Sequence, residues 1–100
     1  MATRPTPVRT RHAEEVFGGH IRTWRKLHEL TVEQLADRVG VNRAIISRLE
    51  RGDGGVSLDV VLTTLNALGQ LDRVVDAADP YGTVFGRARS QQILPQRVRN

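Results

Sequence analysis

Arg43, Ala44, Ser47 and Arg48 are spaced so that, at 100° per residue, they share one side of a helix. That side is polar and basic and carries no bulky side chain. An arginine fork suits bidentate contact with phosphates and with guanine edges. A helix with this outer face has the shape and chemistry to enter the major groove of DNA. Fourteen of the fifteen basic residues are arginine, Lys26 being the exception. Codon bias in a high-GC genome supplies arginine just as readily, so charge alone decides nothing.

Other chemistries fail on spacing. His12, His20 and His28 recur every eight residues, which drifts about 80° around a helix at each step. They do not converge, no His-Glu-x-x-His arrangement exists, and neither a metal nor a cofactor is expected. Without cysteine, disulfides, thiolate zinc sites and thiol catalysis are excluded. Gly52-Asp53-Gly54-Gly55 lacks the preceding strand and the Gly-Lys-Ser/Thr of a phosphate loop, and reads as a flexible connector. Glu14 with Glu15, and Asp72 with Asp76, read as solvated helix faces. No nucleophile–base pair can be assembled, so an enzyme is not expected.

The elements that must position the arginines follow from periodicity and caps. Residues 1–12, with Pro5 and Pro7, read as a disordered basic arm. A helical pattern sets in from Thr10, with Phe17, Ile21, Trp24 and either Leu27 or His28 at three- and four-residue spacings. Gly18 and Gly19 weaken that helix by about 1 kcal/mol each against alanine, so packing must hold it. Thr31 caps a second helix whose Val32, Leu35, Ala36 and Val39 face inward, and Gly40 stops it. Asn42 caps a third, running to Arg51, with Ile45, Ile46 and Leu49 inward. Ser57 caps a fourth with Leu58, Val61, Leu62, Leu65 and Leu68 in one stripe, closed by Gly69. Leu71 to Ala78 makes a short fifth. The expected class is all-α, five helices across residues 13–78, with a basic extension over 79–100. Val84 and Phe85 are candidates for a short strand.

Length and charge bound the rest. One hundred residues fit one domain, and 39% hydrophobic residues suffice for one modest core. The net charge of +4 is unevenly placed. Residues 1–30 carry six basic and three acidic groups, and residues 31–56 four of each. Residues 57–79 have one basic against four acidic, and residues 80–100 four basic against none. No apolar run approaches the roughly 20 residues of a membrane helix. The first residues lack the apolar stretch of a secretory signal. A soluble, cytoplasmic protein is expected, with no membrane association.

The window from Val32 to Arg51 meets the demands of two short helices crossing at a tight turn. Ala36 is small, Gly40 supplies the turn conformation, Val41 plugs it, and Ile46 and Leu49 bury the inner face of the second helix. The run from Thr31 to Gly52, ending Leu49-Glu50-Arg51-Gly52, resembles the helix-turn-helix of Cro/Xre-type, lambda-repressor-like regulators. The resemblance extends back to Ile21-Arg22-Thr23-Trp24-Arg25 and forward through Ser57–Gly69, covering roughly residues 13–70. It implies a sequence-specific repressor that binds pseudo-palindromic double-stranded operators as a homodimer. Asn42, Arg43, Ala44, Ser47 and Arg48 match the family's DNA-facing positions, with Arg38 and Arg51 as backbone contacts or solvated charges. Arg25 and Glu50 match its internal ion pair. Arg43 or Arg48 then pairs with guanine O6/N7, Ala44 touches a thymine methyl, and Ser47 meets a phosphate or base edge.

Two positions depart from the family. Val32 stands where glutamine is common, and Asp53 where a basic residue is common, which weakens phosphate contact there. The ends stay open. Arg4, Arg9 and Arg11 suit either a minor-groove arm or a solubilising tail. Arg87, Arg89, Arg97 and Arg99 surround Ile93-Leu94-Pro95, a mix that suits folding against a partner. Small proteins of this kind with such extensions resemble antitoxins of the Hip and Hig toxin–antitoxin systems, which implies a toxin protein as partner. Leu71, Val74 and Val75, on the fifth helix, together with the fourth, offer a dimer surface. The rival readings are a protein-interaction adaptor on the same fold and a nonspecific DNA-coating protein.

Overall fold

The computed structural model describes the backbone of residues 4–98 and the side chains of residues 4–93. Six α-helices follow one another: α1 (Val8–Leu27), α2 (Val32–Val39), α3 (Arg43–Glu50), α4 (Leu58–Ala67), α5 (Leu71–Ala77) and α6 (Val84–Val98). A single 3₁₀ turn, Pro80–Gly82, precedes α6, and no strand occurs among the described residues. No helix among the described residues is long and apolar enough to cross a membrane. The chain divides after Gly69 into two compact units.

The helix count is six, not five, because Val84 and Phe85 open α6 and form no strand. Thr83 starts that helix: its hydroxyl accepts from the Gly86 N–H at 2.9 Å, and its carbonyl from the Arg87 N–H at 3.1 Å. Residues 8–12, read as disordered arm, are the first turns of α1, with the Arg11 N–H bonded to the Pro7 carbonyl at 2.9 Å. Once a helix is nucleated, each further residue adds a bond at little cost, so it propagates past its last apolar contact. Arg97 and the Leu94-Pro95 side chains lie outside the described side chains, and Arg99 outside the described residues altogether.

In the first unit, Ile21 of α1, Leu35 and Ala36 of α2, Ile46 and Leu49 of α3, and Leu65 of α4 are buried, with Leu30 and Leu68 beside them. Leu27 and Leu58, offered as inward positions, are 68% and 70% exposed. Three caps hold the helix starts. Thr31 accepts from the Gln34 N–H while the Gln34 side chain accepts from the Thr31 N–H, a complete capping box. Asn42 accepts from Ile45 N–H and Ser57 from Val60 N–H.

Helices α1, α2 and α3 each end in a residue of positive φ: Glu29 (56°), Gly40 (85°) and Gly52 (84°). In each case the next amide reaches back five residues: Leu30 to the Arg25 carbonyl, Val41 to Ala36 and Asp53 to Arg48. This closure satisfies carbonyls that a helix end leaves unpaired, and it folds the residue after the cap back over the last turn.

The two adjacent glycines of α1 have opposite roles. A Cβ on Gly18 would lie 2.5 Å from the Leu49 carbonyl oxygen and 2.7 Å from that of Glu50, whereas one on Gly19 would meet nothing. Gly18 is what lets α1 lie against the end of α3; Gly19 only costs helix propensity. Gly19→Ala is expected to stabilise by about 1 kcal/mol and raise Tm by roughly 4 °C or more. Gly18→Ala is expected to destabilise by about 1–3 kcal/mol, since backbone must move to admit the methyl. Thermal denaturation of both variants checks the pair, and equal effects would refute the packing assignment.

In the second unit, Asp79 caps the 3₁₀ turn by accepting from Tyr81 N–H at 2.9 Å, and the Arg87 guanidinium donates to the Tyr81 carbonyl at 2.8 Å. A Cβ on Gly86 would overlap the Pro80 carbonyl, so α6 lies close over the turn. Val74, Val75, Tyr81, Val84, Phe85 and Ile93 stay exposed. The Arg89 guanidinium sits 5.3 Å from the Phe85 ring centre.

Candidate nucleic-acid interface

Helix α3 has two chemically distinct sides. Ile46 and Leu49 are buried against the core, while Arg43 and Ala44 are exposed and Ser47 and Arg48 half-buried on the outer side. Asn42, just ahead of them, is exposed and spends its side-chain oxygen on the cap.

The C-terminal end of α3 is fixed by a buried ion pair. Arg25 Nε donates to Glu50 Oε2 at 2.7 Å and Nη2 to Oε1 at 3.0 Å, with the side chains only 10% and 7% exposed. The remaining nitrogen, Nη1, donates to the Leu30 carbonyl at 2.8 Å. The bonds to Glu50 raise the Arg25 pKa above its usual value, against the opposing effect of burial. Among the described residues no buried side-chain nitrogen or oxygen lacks a partner.

Each outward arginine is met by a carboxylate from outside α3. Arg43 Nη1 lies 3.0 Å from Glu33 Oε1 on α2, both side chains well exposed. Arg48 Nε lies 2.7 Å from Asp53 Oδ2. The Arg48 bond lowers the Asp53 carboxyl below its ordinary value, helped by the Gly55 N–H that donates to Oδ1 at 2.8 Å. The same pairing raises Arg48. Arg38 and Arg51 are exposed and form no ion pair among the described residues. Against the loop after α3 lies α1: a Cβ on Gly52 would come within 2.6 Å of Glu15 Cα, and one on Gly54 would overlap the Glu14 carboxylate.

The other candidates separate. His12 and His20 are exposed, and His28 Nε2 lies 3.0 Å from the Leu68 carbonyl with its ring tilted against Trp24. No group of His, Asp or Glu among the described residues is placed to hold a metal ion. Arg9 and Arg11 sit exposed on α1, while Arg4 lies in the non-helical segment ahead of it. Sequence reasoning missed the pairing of Glu33 with Arg43 and of Asp53 with Arg48, taking Asp53 only as weakening phosphate contact. A signal for Asp53 existed: Gly52 as the positive-φ cap places residue 53 over residue 48.

Removing one partner of the Arg25–Glu50 pair strands a buried charge. Glu50→Ala is expected to cost about 3 kcal/mol or more in urea denaturation. The double change Arg25→Met with Glu50→Leu is expected to recover most of that, since replacing both partners of a buried pair by apolar groups is often neutral. A double variant as unstable as the single one would show that the pair contributes more than compensation of its own desolvation.

The helix-turn-helix domain family matches residues 16–83. The uncharacterized HTH-type transcriptional regulator RghRB of Bacillus subtilis (strain 168) is 30% identical over 83 residues, spanning 83% of this chain and 54% of its own. The HTH-type transcriptional repressor RghR of the same strain is 37% identical over 81 residues, spanning 69% of this chain and 60% of its own. The chain thus spans less than two thirds of the length of either relative. The crystal structure of the clp gene regulator ClgR from Corynebacterium glutamicum is similar with a TM-score of 0.55 at 27% identity, over 94% of this chain and 93% of that one. The matched span contains α2, the Gly40 turn and α3 together with the helices that pack on them, and the chain belongs to the helix-turn-helix domain family.

Proposed function

We propose that the protein is a sequence-specific DNA-binding transcriptional regulator, acting as a repressor, that inserts α3 into the major groove of double-stranded DNA. The observation that carries this reading is the two-sided α3: its inner side is locked into the core and its outer side presents Arg43, Ala44, Ser47 and Arg48 free of bulk. The names of the relatives, a transcriptional regulator, a transcriptional repressor and a gene regulator, support it.

In this reading Arg43 and Arg48 read guanine O6/N7, the Ala44 methyl abuts a thymine methyl, and Ser47 bonds a base edge or phosphate. The free amide nitrogen of Asn42, with Arg38 and Arg51, lies against the sugar–phosphate backbone. No group with catalytic chemistry takes part. Two copies occupy half-sites about one helical turn apart on a pseudo-palindrome. The exposed apolar side chains of the second unit, Val74, Val75, Tyr81, Val84 and Phe85, are the surface offered to the second copy.

The test is fluorescence anisotropy on the gene's own upstream duplex against a scrambled one across a salt series. Specific binding is expected to exceed nonspecific by 10³ or more. Arg43→Ala and Arg48→Ala are each expected to lose about 1–3 kcal/mol of specific affinity while keeping the helical signal of the parent. Equal affinity for both duplexes, falling steeply with salt, would replace this reading with nonspecific coating. Absence of binding to either would favour a protein-interaction role. Sedimentation of the purified chain is expected to give a dimer; a monomer that assembles only with a toxin protein would favour the antitoxin role.

A further inference from the structure

The two outward arginines of α3 are held differently. Glu33 meets Arg43 through Nη1, one of the two nitrogens at the tip of the fork, and both side chains are about two-thirds exposed, at 66% and 69%. That contact occupies the end a guanine would need and is held only loosely. Asp53 meets Arg48 through Nε, on the side of the fork, and among the described residues no hydrogen bond uses Nη1 or Nη2 of Arg48. The tip stays available for the parallel bonds that guanine O6 and N7 accept.

Asp53 is itself fixed by the backbone. Its N–H donates to the Arg48 carbonyl at 3.0 Å, closing the last turn of α3, and its Oδ1 accepts from Gly55 N–H at 2.8 Å. Gly52, at φ 84°, seats the loop against Glu15 of α1. In this kind of helix ending the residue after the positive-φ cap folds back over the residue five positions earlier, usually in an apolar contact. Here that contact is the Arg48–Asp53 ion pair. Gly55 gives it room, since a Cβ there would lie 3.1 Å from Asp53 Oδ1 and 3.3 Å from Arg48 Nη2.

We infer that Asp53 is a specificity-determining positioning residue: it clamps Arg48 by Nε so that the Nη1/Nη2 edge is presented to a guanine, and it cancels the charge that would otherwise draw Arg48 to phosphates. The inference rests on the reading of α3 as the base-contacting helix and extends it to a residue that touches no base. A pre-oriented fork gives up less freedom when it binds. A neutralised one neutralises fewer phosphates and releases fewer counterions.

The experiment uses the full chain, a duplex selected by it from a random library, the same duplex with each base pair changed in turn, and a scrambled duplex. Arg48→Ala is expected to flatten the preference at one G·C pair. Asp53→Asn keeps an acceptor for Gly55 N–H but removes the charge. It is expected to reduce discrimination at that same pair about tenfold, to raise affinity for the scrambled duplex several-fold, and to steepen the log–log salt slope by about one. A purely structural role for Asp53 would instead weaken binding to every duplex alike. Glu33→Gln serves as the control and is expected to leave discrimination at the Arg48 pair unchanged. In an Arg48→Ala background, Asp53→Asn is expected to leave all base preferences as they stand. If Arg48→Ala itself leaves base preference intact, the base-contact reading fails and the inference with it. If Arg48→Ala flattens the preference and Asp53→Asn does not reduce it, the inference alone is overturned.

Discussion

Glu50 is the last residue of α3, a poor place for a carboxylate, because the carbonyls at a helix C-terminus already carry partial negative charge. Buried there at 7% exposure, it requires a cation, and Arg25 supplies one through two bonds. The same guanidinium reaches the Leu30 carbonyl, while the Leu30 N–H returns to the Arg25 carbonyl. One side chain therefore joins the end of α1, the connection into α2, and the end of α3. Because desolvation offsets much of the attraction, the pair fixes orientation more than it adds stability. Its reach depends on Gly18, which lets the α1 backbone come within contact of the carbonyls of Leu49 and Glu50. A small residue and a buried charge pair, seven positions apart on one side of α1, set the angle at which α3 faces outward.

Much of this was legible in the sequence where a local rule governs it. Thr31, Asn42 and Ser57 cap helices because each side-chain oxygen lies within reach of an amide three residues on. Gly40 ends α2 because its φ of 85° is open to glycine without strain. What escaped falls into three kinds. Residues 8–12 and the described side chains of α6, residues 84–93, bury little apolar surface, so hydrophobic periodicity does not register them. Glu29 adopts φ 56° without being glycine, so the α1 ending carries no compositional mark. The Arg43–Glu33 pair bridges two helices across a turn, and no spacing rule within one helix reports it. Gly18 and Gly19 looked alike as propensity costs. Only their phase relative to Ile21 and Arg25 separates them, with Gly18 on the buried side.

The neutral balance of residues 31–56 takes on a different meaning once the pairs are known. Four basic and four acidic groups in that window could be evenly solvated. Instead the arginines of α3 that face outward are matched individually, Arg43 by Glu33 and Arg48 by Asp53, while Glu50 is taken by Arg25 from outside the window. The excess positive charge lies in residues 1–30 and 80–100. In the proposed reading, long-range attraction to DNA would therefore originate at these two stretches, and the middle would contribute shape and hydrogen-bonding geometry. Attraction and base contact would then be carried by different stretches of the chain, the attraction being screened by salt over about 10 Å.

The Arg48–Asp53 pair is also insensitive to pH near neutrality. Asp53 is held below its ordinary carboxylate value, first by the Arg48 bond and then by the Gly55 N–H. A group whose pKa is lowered in the folded state stabilises it above the unfolded value and loses that contribution only as pH falls through the lowered one. Asp53 thus stays charged beside Arg48 throughout the neutral range and is protonated only under acid conditions below the ordinary aspartate range. Arg48 moves further from titration, because the same bond raises it. The charge state of this pair is therefore constant across the neutral range. In the proposed reading, what changes the pairing is the arrival of another acceptor, a phosphate or a guanine edge, and the loop that holds Asp53 bears on which of these Arg48 meets. A fork held at its side by Asp53 has already surrendered Nε and keeps only its tip to offer.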